Sequence, residues 1–201
     1  MTMICTHAGV AVATSARAQA GPLETSSDEF LIRRIADGDQ LAMRTLFARH
    51  RVALHRWLLR LVSDEALAED LLSDVFLDVW RTAASFEERS SVSTWLLAIA
   101  RYKALSARRR RTDAELDEDT AATLVDPADD PELMLQKKSR AELLRYAMGR
   151  LSTEHGEVVD LVYYHGKSVK ETAQVLGVPE ATVKTRMFYA RRKLAELVAA
   201  A

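Results

Sequence analysis

The sequence predicts an all-α protein: two small helical domains joined by an acidic flexible linker, the C-terminal one a helix-turn-helix. Three observations carry this. Among 201 residues there are only four Pro and seven Gly, while Ala, Leu, Arg and Glu are abundant, a composition that favours helices. Few β-branched runs alternate with polar residues as a strand requires, so no sheet is expected. Residues 112–132 are acidic, contain Asp126-Pro127 and Asp130-Pro131, and lack apolar periodicity, as a linker does.

Residues 1–25 are expected to be a disordered extension, or the product of a start assigned too far upstream. Their small apolar stretch has no Lys or Arg before it and is interrupted by Thr, Ser and Arg17, so it makes a poor signal peptide. The first domain is expected over 26–111. Ser26 and Glu29 have capping-box spacing and open a first helix through Phe30, Leu31, Ile32 and Ile35. Gly38-Asp39 ends it. A longer helix follows, with Ala42, Leu46, Phe47, Leu54, Trp57, Leu58 and Leu61 as its buried side. Ser63 is placed to cap a third helix reaching about Arg81.

The third helix is chemically one-sided. Leu71, Leu72, Val75, Phe76, Val79 and Trp80 form an apolar arc, and Asp70, Asp74 and Asp78 recur every fourth residue beside it. Like charges at that spacing oppose one another by a few tenths of a kcal/mol per pair, roughly. The stripe is either a solvated face or a docking surface for a basic partner. A catalytic use of the carboxylates lacks a companion His or pocket. After a loop over 83–90, a fourth helix runs from about Ser91 to Arg110, with Trp95, Ile99 and Tyr102 on one side, Arg101 and Arg108 on another, and four consecutive Arg at its end. Aromatics among cations suit a nucleic-acid backbone, and the small polar loop before them suits an unstacked base.

The second domain is expected over 133–201. One helix reaches about Arg150, with Leu133, Leu143, Leu144 and Met148 as core. Ser152 caps the next, through Val158, Val159, Leu161, Val162 and Tyr163, ending near Gly166. Ser168 and Glu171 then form a capping box, Gly177 supplies a left-handed terminus, and Pro179 sits where a first helical residue tolerates a missing N–H. Val183, Met187, Ala190 and Leu194 share one face of the last helix. The opposite face carries Thr185, Phe188, Tyr189 and Arg192, with Lys184 beside it. Two aromatics among cations, on the second helix of a hairpin with a glycine corner, describe a helix-turn-helix reading a DNA major groove. The bland alternative is a helical hairpin with a solvated basic face.

The net charge is −1, but it is blocked into acidic and basic stretches, so the total does not argue against a nucleic-acid partner. One cysteine, Cys5, excludes an internal disulfide framework. No apolar run approaches the roughly 18 residues of a membrane span, which favours a cytoplasmic protein. The histidines (His7, His50, His55, His155, His165) lack metal-site spacing, and there is no phosphate-binding glycine loop. No cofactor, metal, catalytic residue or small-molecule substrate is expected.

Three stretches together resemble the extracytoplasmic-function (ECF) subgroup of the sigma-70 family of bacterial initiation factors. AEDLLSDVFLDVW (68–80) is similar to the family's core-polymerase-binding helix, SFEERSSVSTWLLAIARYKAL (85–105) to its −10 reader, and 151–197 to its −35-reading domain. The resemblance covers about residues 28–111 and 133–198. It implies core polymerase contacts at Glu69, Asp70, Asp74, Phe76, Asp78 and Trp80. It implies −10 contacts at Ser85, Phe86, Arg89, Ser90, Ser91, Trp95, Arg101, Tyr102 and Lys103. It implies −35 contacts at Glu180, Thr182, Lys184, Thr185, Phe188, Tyr189 and Arg192. Ser73, Glu88 and Tyr102 depart from the residues common in the family, which are Gln, Gly and Asn. The partners implied are the β′ clamp and β subunits of core RNA polymerase, promoter DNA and an anti-sigma factor, with the free chain monomeric. A stand-alone helix-turn-helix regulator is the alternative; it would dimerise and bind DNA without polymerase.

Overall fold

The computed structural model describes residues 26–117 and 140–199; the expectations for residues 1–25, for Leu133 and for the body of the acidic linker lie outside them. Among the described residues every regular element is helical. The N-terminal unit comprises α1 (Asp28–Ala36), α2 (Gln40–Val62), α3 (Glu65–Thr82), a short 3-10 turn (Ala83–Ser85) and α4 (Val92–Asp117). The C-terminal unit comprises α5 (Arg140–Gly149), α6 (Thr153–Val159) with a π-wound continuation over Asp160–Tyr164, α7 (Val169–Leu176) and α8 (Glu180–Ala199).

Helix ends follow side-chain chemistry, though not always through the expected residue. The α1 cap is Ser27, which accepts from the Phe30 N–H at 3.2 Å, not Ser26. The α3 cap is Asp64, bonded to the Leu67 N–H; Ser63 instead ends α2 in a left-handed conformation at φ 54°. Asp and Ser cap about equally well, so adjacent cappers leave the boundary open by one residue. At α7 the Ser168–Glu171 box closes in both directions, and Gly177 takes φ 65°. Pro179 stands just before α8, its carbonyl accepting from Val183 as the helix begins, one position earlier than expected. Helix α4 continues to Asp117, so the first residues assigned to the linker are helical.

Trp57 is the largest fully buried side chain of the N-terminal core. Its indole N–H donates to the Leu97 carbonyl of α4 at 3.3 Å. Leu31, Ile32, Leu46, Leu58, Leu61, Leu71, Val75, Val79 and Leu96 belong to the same buried cluster. Burying a large apolar side chain of this kind stabilises by roughly 1.5–3 kcal/mol. Two residues expected inside, Phe47 and Leu144, are exposed. Phe47 lies edge-on to Phe76 at 4.8 Å with its outer side in solvent. Trp80 and Tyr163 also reach the surface. Tyr163 does so because its hydroxyl accepts from Arg191 at 2.9 Å.

The two units do not hang apart on a tether. Helix α7 packs on α4, and buried residues of both units form one continuous apolar cluster. The π-wound segment reaches α2: the His165 ring meets Trp57 edge-on at 5.8 Å, and Arg56 lies over the Tyr164 ring. At Gly156 a β-carbon would fall 2.5 Å from the Arg60 guanidinium, so the glycine admits the close approach of α6 to α2.

Candidate nucleic-acid interface

Helix α8 presents a cleanly divided surface. Val183, Met187 and Ala190 are buried against the unit, and Leu194 is half-buried. Phe188 and Tyr189 are 62% and 49% exposed, their rings T-stacked at 5.4 Å. Glu180, Lys184, Thr185 and Arg192 are exposed beside them, and Thr182 is half-buried. Thr185 bonds back to the Ala181 carbonyl, and Arg192 pairs with Glu196 at 3.1 Å. An adjoining hollow is lined by Val169, Lys184, Met187, Phe188, Arg191 and Arg192. Exposed aromatics beside cations provide both apolar contact for thymine methyls and charge for phosphates.

On α3, Glu69, Asp70 and Asp74 face solvent, and Trp80 is more than one-third exposed. Phe76 is buried against Phe47 and shapes the helix from within; it cannot be a direct docking contact. Asp78 is engaged by Lys103 of α4 at 2.8 Å, and the same ammonium stands 4.0 Å from Asp74. Lys103, expected to meet DNA, therefore ties α4 to the acidic stripe.

The loop before α4 is held at several points. Ser85 donates to the Thr82 carbonyl, and Phe86 packs on Trp95 at 4.9 Å. Arg89 pairs with Glu87, and Ser90 is half-buried. Glu88 takes φ 54°, and one of its carboxylate oxygens accepts two bonds from Arg33 of α1, at 2.8 and 3.1 Å. A residue with a β-carbon is disfavoured there by about 1–2 kcal/mol, so the ion pair holds a backbone shape that a glycine would adopt freely. Tyr102 is 73% exposed on α4.

Other donors at and near the start of α4, and Arg101, reach the other unit, whereas Arg111 pairs with Asp64 of the same unit. Arg101 makes two bonds of 3.2 Å to the Glu157 carboxylate and a third, at 3.3 Å, to the Leu176 carbonyl. Glu157 is almost fully buried. Thr94 and Ser91 donate to Glu171 at 2.9 and 3.1 Å, and Lys167 donates to Ser93 at 2.5 Å. Burial alone would raise the Glu171 pKa; the backbone N–H and hydroxyl of Ser168, the Thr94 hydroxyl and the Lys167 ammonium outweigh it and hold it at about 2. Burial lowers the Lys167 pKa, an effect that Glu171 partly offsets.

Glu157, Glu171, Lys167 and Thr94 were not legible as interface residues. Glu171 reads as a capping residue, which it also is. Glu157 does carry a signal: it abuts the apolar run Val158, Val159 and Leu161, and a buried carboxylate demands a cation. Nothing local names Arg101, 56 positions away.

Residues 46–113 match the Sigma-70 region 2 family model, and residues 141–194 match Sigma-70, region 4. The ECF RNA polymerase sigma factor SigM of Mycobacterium tuberculosis is 37% identical over 179 residues, spanning 89% of this chain and 87% of that protein. SigL of the same species is 32% identical over 164 residues, spanning 79% and 90%. Among solved structures, CnrH in complex with the cytosolic domain of CnrY superposes with a TM-score of 0.63 at 28% identity, covering 87% of this chain and 99% of that one. The sigma factor RpoE in complex with the anti-sigma factor NepR from Bartonella quintana gives 0.63 at 26%, covering 78% and 96%. An acidic-aromatic helix, a cationic helix beside it and a helix-turn-helix, matched over both regions, leave one conclusion: the chain belongs to the extracytoplasmic-function subgroup of the sigma-70 family.

Proposed function

We propose that this sigma factor binds core RNA polymerase and directs promoter-specific initiation. In this reading residues 26–111 dock on polymerase and capture melted −10 bases, and residues 133–201 read the −35 duplex. The observation that carries it is the outward face of α8. Phe188 and Tyr189 stand in solvent on a helix whose other side buries Val183, Met187 and Ala190, and exposed large aromatics among cations mark a contact surface.

Three surfaces divide the work. The exposed carboxylates Glu69, Asp70 and Asp74, with Asp78 and Trp80, meet a basic partner surface on the polymerase clamp. The loop Ser85–Ser91 with Trp95, Arg101 and Tyr102 takes unstacked bases and phosphates of the opened strand. Glu180, Thr182, Lys184, Thr185, Phe188, Tyr189 and Arg192 lie along the −35 groove; Glu180 suits the start of α8 electrostatically and can accept from a cytosine amine. Polymerase holds both readers at promoter spacing, so the second contact becomes intramolecular. The factor makes and breaks no bond itself; trapping the melted strand lowers the cost of opening. It works in the cytoplasm, as a monomer when free. CnrH and RpoE are each solved with a protein partner, which supports an anti-sigma partner for this chain too. Transcription by core polymerase on a genomic fragment library, with and without the chain, tests the reading: promoter-specific transcripts that need the chain support it, and their absence overturns it.

A further inference from the structure

We propose that Glu157 and Glu171 of the C-terminal unit act as an internal substitute for DNA phosphate, latching the free chain closed over its own −10-binding helix. The proposal rests on the assignment of α4 to the opened −10 strand and concerns the regulation of that site.

The donors on α4 that face the C-terminal unit are those an anionic strand would use. Arg101 offers a guanidinium fork, the group best matched to phosphate or carboxylate. Here the Glu157 carboxylate fills that fork, and the Leu176 carbonyl takes a further N–H. Ser91, just before the helix, and Thr94, in its first turn, both donate to a single oxygen of Glu171. Lys167 bridges the two sides, donating to Ser93 and standing 3.6 Å from Glu171. Two carboxylates thus meet α4, one at its start and one about two turns further on.

The latch itself is polar and charge-matched: when DNA arrives each donor exchanges one anionic acceptor for another and the released carboxylates take water, while separation also uncovers apolar surface shared by α4 and α7. By contrast the face of α8 with Phe188 and Tyr189 stays exposed in the closed chain, and so do Asp70 and Trp80 on α3. Polymerase can therefore engage the closed form at α3 first. Separation of the units then releases Arg101, Ser91 and Thr94 to the opened strand.

The experiment measures binding of a fluorescein-labelled, mixed-sequence single-stranded oligonucleotide to the free full-length chain by anisotropy. Two variants each weaken one carboxylate contact: Glu157→Gln, and Thr94→Val, which removes a hydroxyl from the N-terminal unit without touching the Ser168–Glu171 cap or changing side-chain volume. Small-angle scattering reports the radius of gyration of each. The latch predicts that each variant expands and binds the oligonucleotide about tenfold tighter (~1.4 kcal/mol). Variants that expand and yet bind no tighter overturn it, as do variants that neither expand nor gain binding while circular dichroism shows them folded. Arg101→Ala in the reconstituted holoenzyme separates the two levels. If it leaves promoter opening unchanged, the −10 assignment itself fails. If it reduces opening while the latch variants gain nothing, only the latch fails.

Discussion

The Arg101–Glu157 pair is the most buried charged contact between the two units, and its removal should be felt as lost stability. Glu157 and Arg101 side chains are 5% and 20% exposed. Removing one partner of a fully buried pair costs about 3–5 kcal/mol. Here both bonds are 3.2 Å long, longer than the usual charge-assisted 2.7–2.9 Å, and Arg101 keeps the Leu176 carbonyl when Glu157 is lost. Glu157→Ala should therefore cost about 2–3 kcal/mol. A double-mutant cycle with Arg101→Ala should return a coupling of about 2 kcal/mol, in the range of bonds to charged groups. Urea denaturation of the full chain measures it. Because apolar residues of both units form one cluster, the wild type should unfold in a single transition. A coupling under about 0.5 kcal/mol, the scatter between independent sites, would refute the packed interface.

Other surfaces give separable outcomes. Asp70→Arg with Asp74→Arg should reduce polymerase pull-down at least about tenfold, consistent with reversing charges at a complementary interface, and leave the melting temperature nearly unchanged because both residues are exposed. Phe188→Ala and Tyr189→Ala should each weaken promoter-directed transcription by about 1–3 kcal/mol of lost recognition, while folding shifts by under about 1 kcal/mol, the worth of an exposed T-stacked pair. Unchanged promoter choice would remove α8 as the −35 reader. Glu171 has a folded pKa of about 2 against 4.5 for the free side chain. Its contribution is thus fully present above about pH 4.5 and is lost as pH falls towards 2. Asp28, held low chiefly by its bond from His50, acts in the same direction. Thermal melts across that range should lose stability with acid, and Glu171→Gln should flatten the slope; parallel curves for variant and wild type would contradict the assignment.

Where local rules act alone, the chain was readable. The α7 capping box, the left-handed Gly177 and the divided face of α8 are all short-range features, and each stands where periodicity and capping chemistry put it. Misreadings arose where two local solutions are nearly equal in energy, as at Ser26 and Ser27 or Ser63 and Asp64. They also arose at the rim of the core, where Phe47 packs edge-on to Phe76 yet keeps its outer side in solvent. The docking of the two units was not legible at all. Glu171 and Thr94 are 77 positions apart, and Arg101 and Glu157 are 56 apart; no local pattern pairs such residues. The basic character of α4 was plain, but several of its cations have carboxylate partners: Lys103 meets Asp78, Arg101 meets Glu157 and Arg111 meets Asp64.

The central claim is that this chain confers promoter choice on polymerase. Reconstituting it with core RNA polymerase and sequencing the 5′ ends of transcripts from a genomic library tests that directly. The account predicts a discrete set of start sites that appears only with the chain, shares upstream −35 and −10 elements, and vanishes with Asp70→Arg and Asp74→Arg. Start sites identical with and without the chain, or tight operator binding by the free chain that polymerase does not enhance, would contradict it.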